Sequence, residues 1–166
     1  MRRVIVLVIA GALAAHAATV RMGDTVPDFT LPDRSGAPVS VAALRGKVVC
    51  IEFWASWCPA CRAMLPVLDR VAHRLGGDDV TVLAIDIDDD RAKADRFLAE
   101  RLPDPAVRVV YDPGGAVMAR FGTSSMPAIY VIDRRGVVRL IGDENTSDLA
   151  GTIERQVRAL VVEPTP

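Results

Sequence analysis

The stretch that decides the fold is "IEFWASWCPACRAMLP", residues 51–66, which holds Cys58 and Cys61 two residues apart. Cysteines at this spacing are compatible with a structural disulfide, with half of a metal site, or with a redox catalyst. The elements on either side of the pair bear on the choice among these three interpretations.

An apolar run precedes the cysteines and a helical pattern follows them. Residues 48–54 are almost continuously apolar, which is typical of a central strand buried on both faces of a sheet. From Pro59 onward, apolar residues recur at helical spacing as far as Gly76 and Gly77, which predicts a helix that ends there and that Pro66 kinks. We therefore expect the pair at the first turn of a helix that follows a central strand.

This position has a chemical consequence for Cys58. The free N–H groups of the first helical turn and the positive end of the helix dipole stabilise a thiolate, so the pKa of Cys58 should lie below that of a free cysteine. Cys61 is one turn later on the same face, where it can attack a mixed disulfide on Cys58. Pro59 suits the first turn, because its missing N–H is not needed there.

The other two interpretations of the pair are weaker. A structural zinc site usually takes four ligands, and beyond the N-terminal segment the chain adds only Cys50 and His73. A disulfide that closes so short a loop gains little chain entropy, and small secreted proteins held by disulfides usually carry an even number of cysteines rather than three. Redox chemistry is favoured, and we expect neither a metal nor a cofactor.

The rest of the chain alternates strands and helices. Residues 22–40 read as a hairpin-like lead-in, and the strand at 137–142 forms an antiparallel hairpin with the one at 128–133. This order predicts an α/β domain with a mixed sheet covered on both sides. The further segments are a strand at 80–88, a helix at 88–102, a strand at 107–112, a short helix at 113–122 and a closing helix at 146–162.

The first 17 residues have the pattern of a signal peptide. Arg2 and Arg3 form a cationic start, residues 4–15 are apolar, and Ala15-His16-Ala17 matches an A-x-A cleavage site. The apolar run is shorter than the roughly 20 residues of a membrane-spanning helix, so cleavage after Ala17 is favoured over an uncleaved anchor. The domain is therefore expected to be exported, to the periplasm or another extracytoplasmic compartment.

Length and charge limit the remaining possibilities. The chain has 166 residues, 51% of them hydrophobic, which fits one domain with a substantial core. The formal net charge is −1, and no basic run follows the N-terminal arginine pair, so nucleic acid is not expected as a partner.

Two distant motifs carry a resemblance to a known family. "FWASWCPAC" with Pro66, together with the downstream "SMPAIYVID", resembles the thioredoxin fold. The lead-in hairpin and an extra helix-strand unit between residues 89 and 111 are similar to the exported thioredoxin-like thiol–disulfide oxidoreductases of the TlpA/ResA type, some of which serve cytochrome c maturation. The resemblance covers roughly residues 22–162, and it implies a mixed central sheet flanked by helices.

The resemblance also implies roles for individual residues. Cys58 matches the attacking cysteine and Cys61 the resolving one. Pro127 matches a cis-proline that faces the disulfide; the alternative is an ordinary trans-proline at the start of an edge strand. The candidate substrate-binding residues are Trp57, Pro59, Met126 and Pro127, with the Met126 backbone available to an extended substrate.

Glu52 is the third candidate catalytic residue. An acid inside an apolar strand is costly to desolvate, so its pKa should be raised. It matches the buried acid that assists proton transfer to the resolving cysteine in thioredoxins; a structural or solvated carboxylate is the alternative. Thioredoxins often place a lysine on the next strand near this acid, where this sequence has Ala84.

Three other features have ordinary structural interpretations. Cys50 is expected to be a buried free thiol, with a second redox role as the alternative. His73 is expected to be exposed. The run "DIDDD" at 86–90 resembles the start of a calcium loop but lacks its glycine and glutamate, so it is interpreted as a strand end and a helix cap.

The resemblance favours reduction of disulfides in exported proteins, apocytochrome c among them, by a protein that a membrane electron donor keeps reduced. Oxidases share this architecture, so the residues alone leave the direction of electron flow open. A monomer is expected. One alternative is a peroxiredoxin-like peroxidase, although the P-x-x-x-T-x-x-C pattern is missing before Cys58. The other is a copper or haem delivery module, although such proteins generally use C-x-x-x-C.

Overall fold

The computed structural model describes residues 19–77, 79–143 and 145–164. The predicted signal peptide, residues 1–17, lies outside the described residues. No helix within the described parts of the chain is long and apolar enough to cross a membrane.

A five-stranded mixed sheet organises the domain. The elements in chain order are β1 (Thr30–Pro32), β2 (Pro38–Ser40), a 3-10 turn (Ala42–Leu44), β3 (Val48–Trp54), α1 (Pro59–Leu75), β4 (Val80–Asp86), α2 (Arg91–Arg101), β5 (Arg108–Tyr111), α3 (Ala116–Arg120), β6 (Ala128–Ile132), β7 (Val138–Gly142) and α4 (Leu149–Val162). The strand order is β5-β4-β3-β6-β7, with β1 and β2 forming a separate antiparallel hairpin.

Strand β3 occupies the centre of the sheet, as its apolar sequence predicts. All seven of its residues are buried, because it has a parallel neighbour in β4, an antiparallel neighbour in β6 and covered faces on both sides. The predicted lead-in hairpin and the predicted β6–β7 hairpin are both present.

The two faces of the sheet are covered by different elements. Helices α1, α2 and α4 pack on one face, where the core cluster includes Cys50, Cys58 and Cys61. The lead-in hairpin, the 3-10 turn and α3 cover the other face, where Phe53 and Phe121 pack edge to face. Both cysteines of the motif therefore belong to the helical side of the core.

The boundaries of α1, β4 and α2 can be compared with the predicted ones. Helix α1 ends at Leu75, before the predicted glycines, and it continues unbroken through Pro66. Strand β4 ends at Asp86, and the Asp90 side chain caps α2 by accepting from the Ala92 N–H, which confirms the interpretation of the acidic run.

The predicted start of the closing helix at Thr146 is wrong. The helix begins at Leu149, because Asp148 acts as its N-cap by accepting a hydrogen bond from the Gly151 N–H. Thr146 instead bonds to Asp143 in the preceding turn, which uses its hydroxyl outside the helix.

Candidate active site

Cys58 is the N-cap residue of α1, the position that its motif predicts. It is joined to Cys61 by a disulfide, with the two Cα atoms 5.3 Å apart. The Cys58 Sγ accepts the Cys61 backbone N–H at 3.2 Å, and the Cys58 carbonyl accepts the Arg62 N–H at 3.0 Å. A thiolate at this position would be stabilised by the N–H groups and the dipole of the helix.

The two sulfur-bearing residues differ in exposure. Cys58 keeps 6% of its surface accessible, whereas Cys61 is completely buried. Pro59, between them, occupies the first helical turn and is exposed. An incoming reactant therefore meets Cys58 before Cys61.

Glu52 lies on β3 with its side chain on the same face of the sheet as Cys50 and Trp54. It is fully buried, and neither carboxyl oxygen has a hydrogen-bond partner among the described residues. Burial raises its pKa well above the usual value of a glutamic acid, as the sequence predicted. Its register partners are Ala84 on β4 and Ile129 on β6, so the position where thioredoxins often have a lysine is occupied by the alanine that the sequence predicted.

The Met126–Pro127 peptide bond is cis, which confirms that part of the prediction. Pro127 is buried and immediately precedes β6, whose first residue, Ala128, pairs with Phe53 on β3. This antiparallel register brings Pro127 to the end of β3 from which the loop to Cys58 leaves. Met126 packs against the core cluster that contains both cysteines.

Trp57 and Pro59 form the exposed border of the pair. Trp57 is 61% exposed, in contrast to Trp54 three residues earlier, which is completely buried. Pro59 also lines a cleft of about 450 Å³ between α1 and α2. Of the predicted substrate-binding residues, Trp57 and Pro59 are thus exposed beside Cys58, whereas Met126 is half-buried and Pro127 is buried.

Two acidic residues near the pair were not recognised as part of the site from the sequence. The Asp88 carboxylate accepts the Ser56 backbone N–H at 2.8 Å and contacts the Ser56 hydroxyl at 3.1 Å. It thereby holds the loop that carries Trp57 and Cys58. The sequence shows an acidic run at residues 86–90, but only the pairing of β3 with β4 shows that the Asp88 carboxylate reaches this loop.

Asp86 is the second of these acids. It ends β4, opposite Trp54 on β3 and Tyr111 on β5. Burial raises its pKa to about 8, and a hydrogen bond and negative charge from Asp88 add to this shift. A buried proton is thus held beside the anchor of the active-site loop at neutral pH.

The remaining candidates have the structural roles expected of them. Cys50 is a buried free thiol, and burial together with the nearby Glu52 raises its pKa to about 12. His73 is exposed on α1, 3.5 Å from Asp69. In the described ranges no three His, Cys, Asp or Glu side chains converge as a metal site would require.

Comparison with known proteins places this geometry in a family. The redoxin family model matches residues 21–154. Among curated proteins, the thiol-disulfide oxidoreductase ResA of Geobacillus thermodenitrificans is 29% identical over 149 residues, which cover 85% of this chain and 84% of the relative.

Solved structures agree with this placement. A protein of Chlorobium tepidum assigned as a thiol:disulfide interchange protein DsbE superposes with a TM-score of 0.78 at 31% identity, over 86% of this chain and 99% of that one. A secreted disulfide oxidoreductase of Mycobacterium tuberculosis, homologous to E. coli DsbE, has a TM-score of 0.67 at 28% identity, over 80% and 96% of the two chains. The chain belongs to the redoxin family and is a thioredoxin-like thiol–disulfide oxidoreductase of the ResA/TlpA type, with Cys58 and Cys61 as its redox pair.

Proposed function

We propose that this oxidoreductase reduces disulfides of exported proteins, with Cys58 as the attacking and Cys61 as the resolving cysteine. The observation that carries the proposal is the Cys58 Sγ at the N-cap of α1, accepting the Cys61 N–H at 3.2 Å. That environment favours a Cys58 thiolate in the reduced protein. The difference in exposure between the two cysteines supports the same assignment.

The reaction proceeds in two exchanges. The Cys58 thiolate attacks one sulfur of the substrate disulfide, forming a mixed disulfide and releasing the other substrate sulfur as a thiolate that takes a proton from solvent. Cys61 then attacks the Cys58 sulfur, which forms the Cys58–Cys61 disulfide and releases the second substrate sulfur. The substrate gains two electrons and two protons: the protein supplies both electrons and the proton of the Cys61 thiol, and solvent supplies the other proton.

Glu52 is proposed to assist the second exchange. Its carboxyl lies on the same sheet face as the core that includes Cys61, and no hydrogen bond from a described residue stabilises its charged form. A carboxylate with a raised pKa is a strong enough base to take the proton of the Cys61 thiol as that sulfur attacks. The neutral acid can then protonate the departing substrate sulfur.

Trp57, Pro59, Met126 and Pro127 are proposed to bind the substrate around the pair. Their support is their position: Trp57 and Pro59 are exposed beside Cys58, and the cis Met126–Pro127 bond lies at the adjacent end of β6. An extended substrate segment would pair with the Met126 backbone.

The direction of electron flow is tested by the reduction potential of the Cys58–Cys61 couple, measured at equilibrium against a thiol buffer. We expect a value below about −220 mV, in the range of reducing proteins of this type. A value near −120 mV would make the protein an oxidant and overturn the proposal.

The substrate class is tested by trapping. The C61S variant cannot resolve, so it should hold substrates as mixed disulfides on Cys58 when expressed in its native host. We propose apocytochrome c as one such substrate, on the resemblance to ResA/TlpA-type proteins. Recovery of unrelated exported proteins without any apocytochrome c would contradict that narrower assignment. Peroxide consumption by C61S at the rate of disulfide exchange would instead favour a peroxidase.

Export, a monomeric state and a membrane thiol donor complete the proposal. The signal-peptide pattern and the secreted relative from M. tuberculosis support export. N-terminal sequencing of the protein recovered from its host should begin at residue 18. An N-terminus at Met1 in the exported fraction would replace cleavage with an uncleaved anchor.

A further inference from the structure

We infer that the cleft between α1 and α2 is a docking surface for an acidic segment of the protein whose disulfide is exchanged at Cys58. This cleft, called the α1–α2 cleft below, has a volume of about 450 Å³. It is lined by Pro59, Arg62, Ala63, Pro66, Phe97 and Arg101. The inference rests on the proposed function only in taking Cys58 as the point of exchange.

The α1–α2 cleft is continuous with the redox pair. Pro59 follows Cys58 directly and forms one end of the cleft, and the Arg62 N–H donates to the Cys58 carbonyl. Because Arg62 follows Cys58 by one helical turn and lines the cleft, a partner segment joined to Cys58 would reach the Arg62 side chain within its next few residues. The other end of the cleft is formed by Arg101, at the last turn of α2.

The charge of the two helices differs from that of the whole protein. Helices α1 and α2 carry seven arginine or lysine residues against three acids, a net charge of +4, whereas the complete chain has a net charge of −1. Of the three acids, Asp69 is buried and accepts from the backbone of residues 106 and 107, Asp95 is bonded to Arg91 and Tyr111, and Glu100 is exposed in the last turn of α2. The surface formed by these two helices is therefore cationic on an acidic protein, with Asp88, Asp89 and Asp90 just before the start of α2.

Arg62 and Arg101 are the cations of this surface that face the cleft. Both are exposed, and neither forms an ion pair with a described residue, whereas Arg74 and Arg91 are paired with Glu154 and Asp95. The Arg62 guanidinium lies over the Phe97 ring, 5.4 Å from its centroid. Stacking orients the guanidinium and leaves its N–H edge available for a carboxylate.

The lining between the two arginines favours ion pairing with a partner. Pro59, Ala63 and Pro66 provide an apolar wall that displaces water from a bound segment, which strengthens an ion pair relative to open solvent. Asp89 and Asp90 lie at the opposite end of α2; Asp90 precedes Phe97 by seven residues, or roughly 10 Å of helix. An acidic segment is thus directed from Cys58 toward Arg101 and away from these aspartates.

The experiment compares peptides that share one C-x-x-C disulfide but differ in their flanks. One peptide carries aspartates, one carries lysines at the same positions, and one carries serines. With the reduced full chain at low salt, we expect the aspartate peptide to be reduced about tenfold faster than the lysine peptide, and 0.5 M NaCl should bring the two rates close together.

Variants assign the effect to the α1–α2 cleft. In the double variant R62E/R101E, the preference for the aspartate peptide should reverse. Using the ratio of the two rates removes any change that the Arg62 substitution makes to the reactivity of Cys58 itself. The matched control R158E changes an exposed arginine of α4 and should leave the ratio as it is in the native chain.

A binding measurement keeps the docking surface separate from the exchange chemistry. The aspartate and lysine peptides are made with serine in place of both cysteines, and their affinity for the oxidised protein is measured by fluorescence anisotropy. Salt-sensitive binding of the aspartate peptide, lost in R62E/R101E, supports the docking surface. If no peptide is reduced, the proposed function fails, and the binding result still decides the docking surface. Equal affinity for both peptides, or a ratio of rates unchanged in R62E/R101E, overturns the inference.

Discussion

Burial of the Glu52 side chain in the redox site carries a desolvation cost, and a role in proton transfer gives a functional reason for it. The carboxyl is fully buried, and no described residue bonds to either oxygen. Burial raises the pKa of this carboxyl, which makes its charged form a stronger base than an exposed glutamate. Its chemistry can therefore be separated from its packing by an isosteric substitution.

The variant E52Q should slow the second exchange without slowing the first. We expect release of substrate from the Cys58 mixed disulfide to fall by about 100-fold at neutral pH, since positioned general bases contribute on this order. The difference should shrink at high pH, where Cys61 ionises without help. Rapid acid quenching followed by mass spectrometry measures the mixed disulfide directly.

The control for E52Q is C50A, which alters the same strand and the same sheet face but leaves the carboxyl in place. C50A should release substrate at the native rate. Release by E52Q at the native rate would remove Glu52 from the mechanism.

Asp86 makes the stability of the protein depend on pH. Its pKa is about 8 in the folded chain, raised from 3.8, so between these values the folded state keeps a proton that the unfolded state has lost. The contribution of the Asp86 proton to the free energy of unfolding is therefore fully present below pH 3.8, and it is lost as the pH rises to about 8. Glu52, whose pKa is also raised, acts in the same direction.

The variant D86N removes this titration. As the pH rises from 4 to 8, the unfolding free energy of D86N should increase relative to that of the native protein by on the order of 5 kcal/mol, because each unit of difference between the folded and unfolded pKa corresponds to about 1.4 kcal/mol. Urea unfolding of the oxidised protein at both pH values measures the difference. D104N, which neutralises an exposed acid, should follow the native pH dependence. A D86N protein that did the same would show that Asp86 does not hold its proton in the folded state.

At the scale of elements, the loop between β3 and α1 is held in place by a side chain from the segment that follows β4. Asp88 binds both the N–H and the hydroxyl of Ser56, across 32 positions in the chain. Removing that carboxylate would leave a partly buried N–H without its partner, which is costly.

The variant D88A should lose about 2 kcal/mol of stability and should also reduce substrate more slowly, because the loop carrying Trp57 and Cys58 loses its anchor. D90A, two residues on, is the matched comparison: it removes the N-cap of α2 at a cost of about 1 kcal/mol, and its rate of reduction should be unchanged. Measurement of both stability and rate separates the two effects. Equal rates for the two variants would contradict the anchoring role.

The elements also show what the sequence could and could not predict. The redox pair, the central strand and α1 were predictable because their signals are local: a C-x-x-C motif, a continuous apolar run and helical spacing. The start of α4 was not, since Thr146 and Asp148 are both good N-cap residues and only tertiary context selects between them. The Ser56–Asp88 contact required the register of two strands, which no local pattern contains.

At the scale of the whole molecule, Arg134 joins the sheet to the end of the last helix. From the turn between β6 and β7 its guanidinium donates to the carbonyls of Leu160, Val161 and Glu163, at 3.3, 2.9 and 3.0 Å. The Leu160 and Val161 carbonyls lie in the final turn of α4 and the Glu163 carbonyl belongs to its C-cap residue, so none of them has a partner within the helix. One side chain thus satisfies the open end of α4 and ties it to the sheet.

The variant R134A should lower the unfolding free energy by about 2 kcal/mol, since several charge-assisted hydrogen bonds are lost together. Hydrogen exchange should accelerate in the last turns of α4 before it does elsewhere. R135A is the neighbouring control, because the Arg135 side chain is 62% exposed and its one ion pair among the described residues is with Asp133; we expect a change within about 0.5 kcal/mol. Similar losses in both variants would contradict the role of Arg134.

The location of the third cysteine limits how the protein can be oxidised. Three cysteines allow three different pairings, and in many proteins a free thiol near a reactive disulfide gives a mixture of isomers. Here Cys50 is buried in β3 and its pKa is raised to about 12, so almost none of it is thiolate at physiological pH. A thiol that does not ionise does not exchange, and repeated cycles of reduction and oxidation therefore return the chain to a single covalent isomer.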